Sequence, residues 1–268
     1  MKETYTITFG DCAENHVGME KIGELAEEGF TKSDLNKARE YLEMREIRCE
    51  LIDLSNEICD EEAWILIGRG GLKGLLGEGE EIVDFYNEQK CLEKDKKAYM
   101  YGRVVNKLAR HNLCFGKVKS DADYSKGKGR VYAFEDVKIL NKARERIVDM
   151  IGEKGRDLYA EGNYYYDTSK CGIGFHGDAE RKKVIAIRLG EEMPLHYQWF
   201  KNSKAIGERI IIPLYNGDIY IMSEKATGCD WRKRSKLTLR HATGASKYTT
   251  IKEKVKSLSD VMSAMKLH

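Results

Sequence analysis

Two imidazoles and a carboxylate stand out in this chain because together they form a donor set for a metal ion. His176-Gly177-Asp178 closes a short apolar run, Cys171 to Phe175, and His241 closes the later stretch Leu237-Thr238-Leu239-Arg240. Two histidines and one acid presented from strand ends can make a facial triad. That arrangement holds Fe(II) on one side and leaves the other open for oxygen and a cosubstrate. A redox metal needs such rigid mounting. The tripeptide alone is weak ground, since roughly a third of chains with this histidine and aspartate content contain a His-x-Asp by chance. In the plainer alternative Asp178 is a turn residue and both histidines are ordinary polar groups of a sheet.

The elements that would carry these residues are strands. Gly162 to Asp167, Val184 to Leu189, Arg209 to Leu214, Asp218 to Met222 and Leu237 to Arg240 are short β-type runs separated by Gly and Asn turns. Such a series suggests a barrel or sandwich. Upstream, Glu3 to Phe9 alternates like a strand, Val17 to Glu28 has helical spacing, and Thr31 to Asp34 offers N-caps for a helix through about Met44. Cys49 to Leu54 and Ala63 to Ile67 are further strands, followed by a turn at Arg69-Gly70-Gly71. A short helix is expected near Ile82–Asn87, a strand at Tyr99–Val105, another at Val131–Phe134, and a helix over Val137–Ile151. Ile251 to Leu267 has an apolar face and predicts a packing helix. The charged stretch Glu93 to Lys97 marks a soft boundary, giving an α/β accessory region over 1–95 and a catalytic region over 96–268.

Composition excludes some classes and leaves others open. A hydrophobic share of 41% with 34% charged residues describes an ordinary globular protein, not a disordered one. The net charge of +2 is too near balance to argue for any partner. Seven cysteines without a Cys-x-x-Cys pair predict reduced thiols. No basic-then-apolar leader and no run of about 20 apolar residues is present, so an intracellular soluble protein (cytoplasmic or nuclear) without a membrane span is expected.

The segment Tyr164-Tyr165-Tyr166-Asp167-Thr168-Ser169-Lys170-Cys171-Gly172-Ile173-Gly174-Phe175-His176-Gly177-Asp178 resembles the metal-binding segment of the AlkB family of Fe(II)/2-oxoglutarate dioxygenases. The family pattern is Asn-x-Tyr, about ten residues, then His-x-Asp, often with Ile-Gly just ahead of the histidine. Tyr166 matches the family tyrosine that touches 2-oxoglutarate, while Tyr164 stands where the family has Asn. Val184 to Gly190 and Asn216 to Met222 resemble later family strands, so the likeness covers roughly residues 98–250 and is specific around His176. It implies an α+β protein with a double-stranded β-helix (jelly-roll) core. It implies Fe(II) held by His176, Asp178 and His241, with 2-oxoglutarate and O2 as cosubstrates.

The resemblance departs from the family at the cosubstrate anchor. The family fixes the far carboxylate of 2-oxoglutarate with an arginine beyond the distal histidine, and no arginine follows His241 here. Lys247 and Arg188 are the two candidates, the lysine offering a point charge and the arginine a fork. Arg234-Ser235-Lys236-Leu237-Thr238-Leu239-Arg240 also resembles the family's two-arginine strand, which makes Arg240 a third. That alignment needs a histidine between Met222 and Arg234, and none is there, so His241 remains the expected ligand.

Other signals are weaker. Asp11-Cys12-Ala13-Glu14-Asn15-His16 is rich in polar groups, though turn chemistry accounts for Asp11 and Asn15. Pro194 to Phe200, with His196, suits packing or the mouth of a site. Basic clusters at Arg181-Lys182-Lys183, at Trp231-Arg232-Lys233-Arg234 and among Lys117, Lys119, Lys126, Lys128 and Arg130 would suit nucleic acid or another anion. With the resemblance they favour oxidation of a nucleic-acid base, by hydroxylation or demethylation, flipped into the pocket. The alternatives are hydroxylation of an amino-acid side chain, free or in a protein, and a catalytically inert barrel that has lost its cosubstrate anchor.

Overall fold

Alternation of burial sets the first strand. In β1 (Thr4–Gly10) Tyr5, Ile7 and Phe9 point one way and Thr4, Thr6 and Thr8 the other, so the strand must be covered on both faces. The computed structural model describes residues 2–55, 61–77 and 81–251. After β1 come β2 (Cys12–Glu14), β3 (Lys21–Gly23), α1 (Lys32–Glu43), β4 (Cys49–Asp53), β5 (Trp64–Gly68), α2 (Leu72–Leu76) and α3 (Ile82–Cys91). Then follow β6 (Lys97–Met100), β7 (Arg103–Asn106), β8 (His111–Gly116), β9 (Val131–Ala133) and α4 (Lys138–Ile151). The last third holds β10 (Tyr159–Tyr165), β11 (Gly172–His176), β12 (Val184–Gly190), β13 (Leu195–Lys201), β14 (Lys204–Ile212) and β15 (Ile219–Met222). It ends with α5 (Glu224–Thr227), β16 (Thr238–Gly244) and α6 (Ser246–Thr249).

The strands form an eight-stranded sheet, ordered β4-β5-β15-β12-β1-β10-β8-β9, and a four-stranded sheet, ordered β11-β16-β13-β14. Helices cover one face of the large sheet. Leu35, Ala38 and Leu42 of α1, the leucines of α2, and Leu140, Ala143 and Ile147 of α4 pack there on Ile7, Phe9, Ile185 and Ile187. Thr31 caps α1 through a reciprocal bond pair with Asp34, as its sequence predicts.

The other face of the large sheet is divided. Ile65 and Ile67 of β5, Val184 and Ala186 of β12, and Tyr220 and Met222 of β15 pack against Leu195, Tyr197, Trp199 and Leu239 of the small sheet. The neighbouring half is polar. Thr4, Thr6 and Thr8 of β1 stand in register with Tyr165, Asn163 and Glu161 of β10, and Arg188 of β12 lies opposite Thr6. An apolar half therefore joins the sheets, and the polar half leaves a space between them.

Several sequence expectations need correction. Residues 17–28 are not helical: Gly18 and Gly23 adopt φ of +85° and +87°, and Val17 and Leu25 are exposed. A side chain at Gly23 would meet the carbonyl of Asp11 at 2.3 Å. The strand expected at 99–105 is a hairpin, turning at Tyr101 and Gly102, both with positive φ. Strands β8 and β13 lie outside the expected set. The first 95 residues are not accessory to the sheet, since β1 pairs with both β10 and β12 and β5 pairs with β15. Most of the expected helix over 251–267 lies outside the described residues. Among the described residues, no helix is long and apolar enough to cross a membrane, and the six described cysteines are free thiols.

Candidate metal centre and its cavity

Strand pairing brings the two histidines together. His176, the last residue of β11, stands opposite His241 on β16, after an irregularity in the ladder between Ile173 and His176. Their ring centroids are 4.5 Å apart. Asp178 follows in a turn whose amide donates to the carbonyl of Thr227 at 2.9 Å. Gly177 is required there, because a Cβ would sit 2.0 Å from the carbonyl oxygen of Gly228. The His-Gly-Asp turn thus presses backbone to backbone on the turn after α5.

The donor atoms converge. Asp178 Oδ1 lies 3.5 Å from His176 Nε2 and 3.5 Å from His241 Nε2, and all three ligand atoms fall within 4.8 Å of one another. Two ligands bonded to one metal at about 2.1 Å cannot stand farther apart than about 4.2 Å, so both 3.5 Å separations fit. His176 Nδ1 faces two carbonyl oxygens, Gly174 at 2.8 Å and His241 at 3.0 Å. Carbonyls only accept, so Nδ1 carries the proton and Nε2 keeps its lone pair.

Electrostatics keep the centre ready for a cation. Burial pushes His176 down to about 3, helped by His241 and Arg110 and opposed by Asp178, so its ring is neutral at ordinary pH. Burial alone would raise Asp178. His241, Arg181 and His176 more than reverse this and hold its carboxyl well below the usual range. Arg181 Nε lies 3.9 Å from Asp178 Oδ2, and its Nη2 reaches Glu161 at 2.5 Å and Glu180 at 2.9 Å. Arg181 was expected on a basic surface cluster. It is instead 3% exposed and turned inward.

The triad opens on a cavity of about 410 Å³ between the sheets. Arg188, 1% exposed, lines it. Its Nη1 donates to Thr6 Oγ1 at 2.6 Å and its Nη2 to the carbonyl of Met193 at 3.1 Å, while its Nε has no partner. Among the described residues no carboxylate is ion-paired with Arg188. Asp218 nearby is committed to Arg69 at 2.7 Å and to the amide of Gly70. A buried cation without a counter-ion is costly and in search of an anion.

The other expected cosubstrate residues lie elsewhere. Tyr166 points away from the cavity, stacking on His111 at 4.9 Å and donating to the carbonyl of Leu108 at 2.7 Å. Tyr164 stacks on Tyr5 at 4.6 Å and donates to Glu3. Tyr165 between them faces the cavity, as the alternation of side chains along a strand requires. Lys247 is exposed on α6, its ammonium 5.0 Å from the Tyr248 ring. Arg240 lies on the face of β16 opposite His241, over Phe200 at 4.4 Å and Trp231 at 5.3 Å.

The cavity also takes residues that the motif did not suggest. Arg110, Glu14, His16, Glu161 and Tyr220 line it. For Glu14 and His16 the local signal was the density of polar groups at Asp11 to His16. Asp11 itself is structural, accepting from the amides of Ala26, Lys182 and Lys183 at 2.8–3.0 Å. Glu14 is pushed up to about 7, first by burial and then by Glu180 and Glu161, against the amide of Gly18 and Lys21.

No protein-family profile matches the chain. It is 50% identical over 254 residues to an uncharacterized protein, R156, of Acanthamoeba polyphaga mimivirus, across 92% of this chain and 98% of that protein.

Proposed function

We propose that this chain, which belongs to the same family as the mimivirus protein R156, is an Fe(II)- and 2-oxoglutarate-dependent oxygenase. The observation that carries the proposal is one cavity holding both a His-Asp-His donor set and a buried arginine that has no ion-paired carboxylate among the described residues. His176, Asp178 and His241 would hold the metal, and two imidazole nitrogens with one carboxylate suit Fe(II). Arg188 would receive the far carboxylate of 2-oxoglutarate, its fork already aimed by Thr6 and the carbonyl of Met193. When bound, iron and the oxo acid supply oxidative decarboxylation to succinate and CO2, coupled to insertion of one oxygen atom of O2 into a substrate C–H bond. Two electrons for O2 come from the oxo acid and two from that bond. The protein's part is to fix the donors, neutralise the carboxylate and keep water out. Arg181 steadies Asp178 through its second oxygen, and Ile173, Val184, Leu195 and Met222 form the apolar lining.

The strand order supports a double-stranded β-helix with an unusual closure. Strands β10 to β16 run in chain order through the two sheets. Numbered one to seven, they give two-seven-four-five in the small sheet and one-gap-three-six in the large one. By symmetry the gap belongs to an eighth strand following β16. The N-terminal strand β1 fills it, antiparallel to β10 and β12. This accounts for the missing arginine after His241: the wall that would carry it is built from β1, and the cation comes from β12.

Anaerobic titration of the protein with Fe(II) and 2-oxoglutarate tests the proposal. A metal-to-ligand charge-transfer band is expected, with succinate formed on admitting O2, and His176→Ala should lose both. A wild-type protein without the band, or a His176→Ala variant that keeps it, rules the assignment out.

A further inference from the structure

The cavity holds charges of both signs that the metal and the oxo acid leave unused. Arg110 enters between β7 and β8 and lines the same cavity as His176. Its Nε donates to Asn163 Oδ1 at 2.6 Å, and among the described residues it has no ion-paired carboxylate. The same Asn163 gives its amide N–H to Glu161 Oε1 at 2.9 Å, so a single side chain separates this cation from an acidic group. That group is crowded: Glu161 and Glu180 share one guanidinium, that of Arg181. Glu14 beside them meets the backbone amides of Gly18 at 3.0 Å and no ion-paired cation among the described residues. Arg181 Nε, fully buried at the same place, has no hydrogen-bond partner. Glu14, Glu161 and Glu180 thus line this corner of the cavity around the single guanidinium of Arg181.

We propose that the substrate is a free α-amino acid, its carboxylate received by Arg110, its ammonium by Glu14 and Glu180, and its side chain directed at the His176–Asp178–His241 centre. The binding part stands on the cavity's own charges, and the oxidation of that side chain rests on the oxygenase reading. Arg110 and Glu14, each without an ion-paired partner among the described residues, line one cavity, which is what the two charges of an α-amino acid require. A cavity of about 410 Å³ falls in the range of small-molecule sites, about 300–1,000 Å³. A nucleic-acid strand would bring phosphates towards Glu14 and Glu180, and Arg181 is too buried to compensate. A residue within a peptide has neither α-charge, so both unpaired groups would stay unmatched.

Calorimetric titration of the protein loaded with Mn(II) and 2-oxoglutarate, under nitrogen, tests this with the free L-amino acids, their N-acetyl and carboxamide derivatives, and a single-stranded oligonucleotide. At least one free amino acid should bind, and blocking either of its α-groups should weaken it by about tenfold or more, the worth of a charged hydrogen bond. Glu14→Gln and Arg110→Gln should weaken the free amino acid similarly and leave 2-oxoglutarate binding in place. The proposal is overturned if no free amino acid binds, if blocked forms bind as well as free ones, or if the oligonucleotide binds in their stead. Failure of 2-oxoglutarate to bind is a separate result that removes the oxygenase reading, and amino-acid binding is then read on metal-free protein.

Discussion

At the scale of single residues, the site joins groups that stabilise the protein with groups that cost it stability. Gly177 belongs to the first kind, because only hydrogen fits against the Gly228 carbonyl and lets Asp178 swing under the two histidines. Arg188 belongs to the second. Its guanidinium is fully buried, and burial lowers its proton affinity below the ordinary arginine value. Replacing such a charge with an apolar side chain of similar length removes the desolvation cost while keeping the packing. Arg188→Met is expected to stabilise the ligand-free protein by about 1–3 kcal/mol and to abolish 2-oxoglutarate binding while Mn(II) binding survives. Thermal unfolding and metal titration check both halves, and a destabilised variant would mean that the bonds to Thr6 and Met193 outweigh the buried charge.

At the scale of elements, β1 is the strand on which both layers depend. Its apolar side anchors the helices, and its threonine side forms the wall behind Arg188. Ile7, fully buried at its centre, faces Gly162 and Ile187 in the two neighbouring strands. Ile7→Ala should cost about 2–5 kcal/mol, and unfolding followed by near-UV dichroism and by loss of metal binding should remain one coincident transition. Two separated transitions would restore the expected division near residue 95. The small sheet is simpler: β16 lies between β11 and β13, so His176 and His241 stand on adjacent strands.

At the scale of the whole molecule, the large sheet separates two environments. Helices seal one face with aliphatic groups, whereas the other changes from apolar to polar across its width, and the cavity opens where the polar part begins. This polarity has a pH signature. Glu14 is raised from 4.5 to about 7 in the folded protein, so between those values the native state keeps a proton that the unfolded chain has released. Stability therefore falls as pH rises through that window, and the cost is fully present above it. Glu14→Gln should match wild type near about pH 4 and exceed it near about pH 8, as read by denaturant midpoints. An equal difference at both values would show that Glu14 is not the group responsible. The same substitution is expected to weaken amino-acid binding, a trade of stability against function.

Much of this was legible in the sequence because it is local. Alternation marked β1, β-type apolar runs marked β4, β5, β12 and β15, the Thr31–Asp34 pair marked the start of α1, and the His-Gly-Asp tripeptide with a later strand-end histidine picked out three residues that converge in the fold. Those signals work within a few residues, where side-chain period and capping act directly on the backbone. Strand order is different, because it depends on which distant apolar faces cover one another. Only the tertiary structure could put β1 between β10 and β12, turn Arg181 inward to Asp178, and set Arg188 rather than Lys247 or Arg240 behind the triad. A pleat has a period of two, so Tyr165 lines the cavity while Tyr166, one residue on, lies outside it.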